Sequence, residues 1–577
     1  ITLVGKDAGS AITSGASSTF IGKGAGAANT TATQNIFMGV NAGLSITTGG
    51  SNIAIGHEAY DGCDAETNNL AIGRAALGGA VAGGEYNVAI GNFSLDALTT
   101  ADHNVAVGYE AGSDLTTGGS GNGRNVFMGY QAGKAVTTGF DQVLIGEGAG
   151  SVNGVGTSRG LIAVGRSAGN RKTSGDQCVL IGTDAGAYLT TAADSIFIGG
   201  FAGDGHDTEG NNLGIGTAAL GGSVAGGEYN VAVGNYTLDA LTSADFVTAV
   251  GYQAGSAVTT GGYNTLIGHQ SGDAITSGNT NTAVGHGSLG SNTVGDRNTA
   301  VGSGALSAFN PDSNTDDSNT AVGYGALNEL TTGVRNIAFG GLALGGAVTT
   351  EGNNVAIGFA SMSANVAGGE YNTAIGNLSL PNLTSGDKNT ALGHNAGNGL
   401  NTANNSVLIG YEAGKGITSQ NSNVCIGYQA GVGLAQSSNV LIGTSAGLSA
   451  GGAAENTGVG SSVLIHLTNG TDNVALGESA GEDISTGDYN VMIGANSTAS
   501  TGDAQSQNVL GHNVTSSGNG TFTFGSGSND TTATNGGTTW SAPSDIRIKK
   551  NIETSTVGLS FINDLRPVNF KFKTKGE

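Results

Sequence analysis

The chain has 577 residues, 106 of them Gly, with only 11% charged residues, 5% aromatics and 4 Pro. That composition excludes several ordinary globular domains built on large cores, and scarce Pro with glycines off a three-residue period excludes collagen. A net charge of −23 with no basic stripe before the C-terminus argues against nucleic acid, and no apolar run approaches a membrane span.

Ile1 opens the chain with neither an initiator Met nor a signal-peptide pattern, so a fragment is predicted. A short phrase then recurs: NVAVGYEAG at 104–112, NTAVGHGSL at 281–289, NTAVGYGAL at 319–327, NVAIGFASM at 354–362. Aligned on the glycine after the aliphatic residue, Gly251, Gly268, Gly285 and Gly302 define a period of about 17 residues. The series runs from Gly5 to Gly494, roughly 30 copies, with longer insertions before Gly129, Gly165 and Gly323. A disordered Gly/Ser tract has no reason to keep an aliphatic pair in fixed phase, so regular stacking is predicted.

Within each unit the phrase NVAIG or NTAVG is short, β-branched and bounded by Asn and Gly, which predicts a strand. A segment rich in Thr, Ser and Gly, such as LTTG or VTTG, predicts the return turn. One unit cannot bury its own apolar face. Stacked units can, in a narrow core where Ala, Val, Ile and Gly sit above copies of themselves. The fold class is therefore all-β: an elongated β-solenoid or β-roll over 1–511, on the order of 140 to 150 Å long at about 4.8 Å per turn. With so few large side chains to seal it, a homotrimer is expected.

Asn recurs four residues before the phase glycine, as at Asn35, Asn52, Asn69, Asn264, Asn281 and Asn298, and is read as a structural ladder on a left-handed corner. The phase glycine marks close backbone approach or positive φ. Tyr or His often follows it, as at Tyr109, Tyr130, Tyr252, His269, His286, Tyr324, His394, Tyr411 and Tyr428. Such a row could bind sugar, but stacking along the rod is the favoured reading. Segment 68–99 returns almost unchanged at 211–242 and in part at 353–377, as block duplication in a solenoid allows. Cys63, Cys178 and Cys425 lie far apart at different phases and are expected to be unpaired. No metal and no cofactor is expected. The acidic cluster Asp312, Asp316 and Asp317 reads as a solvated loop or an ion site. Thr rows such as Thr116, Thr117, Thr137 and Thr138 raise an ice-binding reading, ranked last.

After Gly511 the phase is lost, and 512–543 is predicted to be a linker or terminal β segment. From 544 the chain reads SDIRIKKNIETSTVGLSFINDLRPVNFKFKTKGE, suddenly rich in Lys and Arg, with a helix expected around 557–565 and a strand over 568–572. This order, Ser544, Asp545, Arg547 and Lys549 followed by Leu565, Pro567, Val568, Phe570 and Lys571, resembles the opening of the intramolecular chaperone domain at the C-terminus of phage tailspikes, endosialidases and tail fibres. The repeats resemble, over a few residues per turn, the head repeats of trimeric autotransporter adhesins.

The first resemblance implies a small α+β domain starting within 544–577 that trimerises, templates folding of the fibre upstream and is released by self-cleavage. It makes Ser544 the nucleophile and Lys549 its general base, a role that needs a lysine of lowered pKa, with Asp545 and Arg547 shaping the site. It implies a virion fibre outside the cell, with self, a host cell-surface receptor (glycan or outer-surface protein) and other tail proteins as partners. No enzyme is expected beyond autoproteolysis. A cellular trimeric adhesin and, further off, a polysaccharide-degrading tailspike with paired carboxylates are the alternatives.

Overall fold

The computed structural model describes residues 1–541 apart from 81–82, 118–122, 152–157, 224, 314–316, 347–349, 366 and 528–529. The chain is an all-β solenoid of 33 strands, with no helix among the described residues. Strands β1 (Thr2–Val4) to β29 (Val491–Ile493) are three residues each, and β30 (Asn508–His512) follows them. Each pairs in parallel with the next: Thr265, Leu266 and Ile267 of β16 face Thr282, Ala283 and Val284 of β17. The insertion before Gly323 leaves this register intact, with Thr299 opposite Thr320. The extra residues lie between β18 (Thr299–Val301) and β19 (Thr320–Val322). Past Gly511, β31 (Thr521–Ser526) still adds in parallel, Gly511 facing Gly525, and the antiparallel strands β32 (Thr531–Thr534) and β33 (Trp540–Ser541) end the stack.

The glycine column is set by backbone contact. Gly268 has φ +138°, and a Cβ built on it would lie 2.5 Å from the Gly285 carbonyl oxygen of the next turn. Its amide bonds back to the Val250 oxygen at 2.8 Å while Thr265 donates forward to Asn281, so each rung is held from both sides. No other residue type tolerates both that φ and that proximity.

Beside it runs the asparagine ladder. Asn281 donates its backbone amide to the Asn264 Oδ1 (2.8 Å) and its side-chain amide to the Gly295 carbonyl (2.9 Å). Its own Oδ1 accepts from the Asn298 backbone (3.0 Å) and side-chain amide (3.2 Å). The ladder is thus mainly side chain to backbone, and the left-handed residue is the one before the asparagine, as at Tyr263 (φ 58°), Thr280 (φ 58°) and Arg297 (φ 57°).

The core differs from the sequence expectation in one respect. A three-residue strand alternates, so only its central residue points inward; Ala283, Ala300 and Leu266 are fully buried, while the flanking Val and Ile columns face outward. The remaining inner volume is shared between that central position and the residue six later. Where the centre is Phe or Leu, the later residue is Gly, as in Phe20/Gly26, Phe197/Gly203, Leu266/Gly272 and Leu441/Gly447. Where the centre is Ala, the later residue is often large and buried, as in Ala71/Leu77, Ala283/Leu289, Ala321/Leu327 and Ala356/Met362. A Cβ on Gly272 would sit 2.7 Å from Leu266 Cδ2, which is why the sizes trade off.

The three cysteines are buried and form no disulfide, as expected. Cys178 occupies an asparagine-ladder position, and burial pushes the Cys425 thiol, at a strand centre, up to about 12.

Candidate functional site

Three parts of the molecule could carry function: the outer strand face, the flank formed by the turn after each glycine, and the C-terminal segment.

The outer strand face consists of the first and third residues of every strand. In β1 to β30 none of these residues is buried, and none is charged. One column runs through Val88, Val105, Val126, Val143, Ile162 and Val179; the other through Ile90, Val107, Met128, Ile145, Val164 and Ile181. Several members are well exposed, including Met38, Met128, Ile162, Ile181, Ile267 and Phe339.

On the turn flank the predicted aromatic row stacks along the rod. Ring centroids lie 5.5 Å apart for Tyr109–Tyr130, 5.4 and 5.2 Å for Tyr252–His269–His286, and 5.5 and 5.3 Å for His394–Tyr411–Tyr428. Tyr324 is 68% exposed. A second row, not anticipated, occupies the left-handed residue before the ladder position, which is Val247 after Phe246 and asparagine after the others: Tyr86–His103 at 5.2 Å and Tyr229–Phe246–Tyr263 at 5.2 and 5.1 Å. The signal for it was present in the repeated EYN phrase.

Behind the first row sit half-buried aspartates, five residues after the glycine: Asp61, Asp96, Asp204, Asp239 and Asp273. Burial pushes all five carboxyls up, Asp96 to about 6. Two shallow grooves adjoin there. One of about 550 Å³ is lined by Arg171, Tyr188, Thr190, Asp204, Asp207 and Ser223; the other, of about 320 Å³, shares Arg171, Tyr188 and Asp204 and adds Asp184 and Phe201. The Arg171 guanidinium lies 4.3 Å from the Tyr188 ring centre. A third groove holds Phe93, Asp96, Tyr109, Glu110 and Asp114 around Lys134, whose Nζ is 2.5 Å from Glu110.

Several other features prove structural. Thr116 donates its hydroxyl to the Thr137 carbonyl at 3.1 Å, and Thr259 to Thr276 at 3.0 Å, so the Thr rows tie turns together. Asp312 is exposed, as the solvated-loop reading expects, whereas Asp317 is buried and accepts from the Asp296 amide at 3.0 Å; Asp316 lies outside the described residues. Among the described residues no group of three or more His, Cys, Asp or Glu could hold a metal ion. Sequence reasoning missed Glu66, Glu209 and Glu351. These equivalent buried carboxylates cap the following turn by accepting from the amides of Gly83 (2.9 Å), Gly226 (3.0 Å) and Gly368 (2.6 Å). Each marks a turn of one extra residue, as between Gly73 and Gly91.

Ser544, Asp545, Arg547 and Lys549, with the helix and strand expected after them, lie outside the described residues. No curated protein and no solved structure matches the chain. Residues 544–577, the basic segment that follows the solenoid, match the family model described as chaperone of endosialidase.

Proposed function

We propose that the chain is the shaft of a homotrimeric phage tail fibre, a virion component outside the cell that holds a host-binding surface away from the particle. The observation that carries this reading is the junction itself: about 30 rungs stacked without a register slip, followed by a segment similar to the chaperone of endosialidase. Each turn pairs only with its neighbours about 17 residues away, so a stack of this length must be started by a first pair of turns and carries an unpaired edge until the next turn covers it. A C-terminal device that gathers chains and starts the stack answers that difficulty.

In this reading the 544–577 segment opens the chaperone. Ser544 Oγ, losing its proton to Lys549 as general base, attacks the Pro543 carbonyl; the Pro543–Ser544 C–N bond breaks with the Ser544 nitrogen leaving as a protonated amine, and water hydrolyses the resulting ester, while Asp545 and Arg547 hold the site. Release then leaves the mature shaft. The polar and aromatic grooves of the turn flank, with Tyr188, Arg171 and Asp204, supply the surface for a host glycan or outer-surface protein, and other tail proteins hold the rod at its base.

The test is a native mass measurement on the chain continued through the whole C-terminal domain, with and without Ser544→Ala. A three-chain particle that has lost its C-terminal piece, and keeps it in the variant, is expected. A single-chain mass removes the fibre reading; an uncleaved parent removes the processing step alone.

A further inference from the structure

The outer strand face is an anomaly for a solvated surface. The chain carries 43 acidic and 20 basic residues, yet the first and third positions of β1 to β30 hold none of them. They are Val, Ile, Leu, Met, Phe and Thr, with Asn508 at the last rung. At about 4.8 Å per rung and with two columns side by side, the stripe is about 140 Å long and about 10 Å wide, on the order of 1,400 Å². Contiguous apolar patches on monomers rarely pass a few hundred Å², and a stable interface needs roughly 800 Å² per partner. The stripe exceeds both.

We infer that this face is where copies of the chain pack against one another, side by side, parallel and in register. This deepens the trimeric reading and rests on it for the number of copies only. The occupant is argued from three features. First, the stripe is continuous from β1 to β30, so whatever covers it must be as long and as regular as the rod, and a second copy has that length and repeat. Second, a charge-free face on a chain of net charge −23 concentrates like charge on the other faces, which lets identical rods approach each other only here.

Third, the composition changes along the stripe in a way that selects direction. Thr fills the first column at Thr248, Thr265, Thr282, Thr299 and Thr320, whereas Ile, Val and Leu fill it from Ile36 to Val231. Parallel, in-register packing keeps the Thr-bearing rungs of one copy beside the Thr-bearing rungs of the next and the wholly aliphatic rungs beside one another. An antiparallel pair would set Thr282, Thr299 and Thr320 against Val231, Leu213 and Ile196 and leave hydroxyls facing methyl groups. Parallel packing also brings all C-terminal segments to one end.

Cysteine crosslinking in the full chain tests the arrangement, since Cys63, Cys178 and Cys425 are buried and will not compete. Val88→Cys and Ile90→Cys, each on an outward column of β6, should be joined at the same position between chains by a short bis-maleimide, because faces packed against each other lie about 10 Å apart. Ile90→Cys mixed with Ile426→Cys, its counterpart in an antiparallel pair, should give no mixed dimer. Mixed dimers, or no crosslink from either column, overturn the inference. As a second measurement, the double variant Ile90→Lys, Val107→Lys should lower the sedimenting mass toward one chain with its β-signal in circular dichroism kept. Tyr109→Lys, on the turn flank, should leave the mass unchanged. Assembly that survives both charged substitutions also overturns it. Crosslinks in a two-chain particle would keep this face and remove the trimer, whereas a three-chain particle without crosslinks would keep the trimer and remove this face.

Discussion

The strand corner and the turn flank belong to the same coil but follow different rules. The corner, for example Asn281 to Gly285, repeats nearly unchanged because backbone touches backbone there: the Gly268 position admits no Cβ and the Asn281 side chain makes two bonds to backbone groups, those of Gly295 and Asn298. The flank that follows, from His286 onward, varies in charge, ring and size from turn to turn because its side chains meet solvent or the trading partner across the core. Identity is imposed where the neighbour is main chain, and freedom is left where the neighbour is a side chain or water.

The sharpest way to break that contrast is to place the same methyl group in both regions. Gly268→Ala puts a Cβ 2.5 Å from the Gly285 oxygen at φ +138°, so the rung must part; a local loss of about 4 kcal/mol or more is expected. Gly287→Ala, on the flank, has φ +58° and open space around the new methyl, so about 1 kcal/mol is expected. Hydrogen exchange resolved by turn is the measurement, because a solenoid of this length unfolds in parts. Equal protection losses at the two sites would dissolve the distinction.

A second experiment sharpens it from inside the core. Leu266→Ala should cost about 3 kcal/mol through the void it leaves, and Gly272→Leu alone should clash with Leu266. Combined, they reproduce the Ala283/Leu289 arrangement of the next turn, where Leu289 holds φ 53° close to the 57° of Gly272. The pair should recover most of the loss, with a coupling of about 2 kcal/mol in a double-mutant cycle. Strictly additive losses would mean that the two positions do not share one space.

Those two experiments also mark what the sequence could disclose. Period, strand class, glycine column and asparagine ladder were legible because each arises from a backbone demand that returns at a fixed spacing. The orientation of the aliphatic pair was not: alternation over three residues is too short to tell in from out, so the expected core of Ala, Val, Ile and Gly holds for Ala, while Leu and Phe take the places expected for Val and Ile. The six-residue size exchange between Leu266 and Gly272 was present in the letters but appears only when two positions are compared across all turns. The Glu66, Glu209 and Glu351 clips were hidden because a carboxylate binding a loop in the next turn leaves no local pattern. The signature from Ser544 to Lys571 was legible as ordered residue types, and the family match covers the same segment.

The smallest expected effect concerns pH, and it too divides the two regions. The glycine and asparagine columns do not titrate, so acid sensitivity should come from the flank. His206 is buried on that side, its ring 5.1 Å from the Phe197 ring centre, and burial pushes its pKa down to about 4. Because the folded value lies below the ordinary 6.5, the unfolded chain takes up the proton first. Its contribution is therefore whole above about pH 6.5 and is lost as pH falls toward 4, a loss of about 2 kcal/mol at pH 5. The half-buried aspartates act in the opposite sense, since carboxyls held above their ordinary values lose stability as pH rises through the folded values. His206→Leu, which supplies the residue type found one turn earlier at Leu189, isolates the histidine from them. The gap in melting temperature between variant and parent should be small at pH 8 and should widen steadily to pH 5. A constant gap would show that the buried ring imposes no proton-linked cost, and acid sensitivity would then have to be sought elsewhere in the coil.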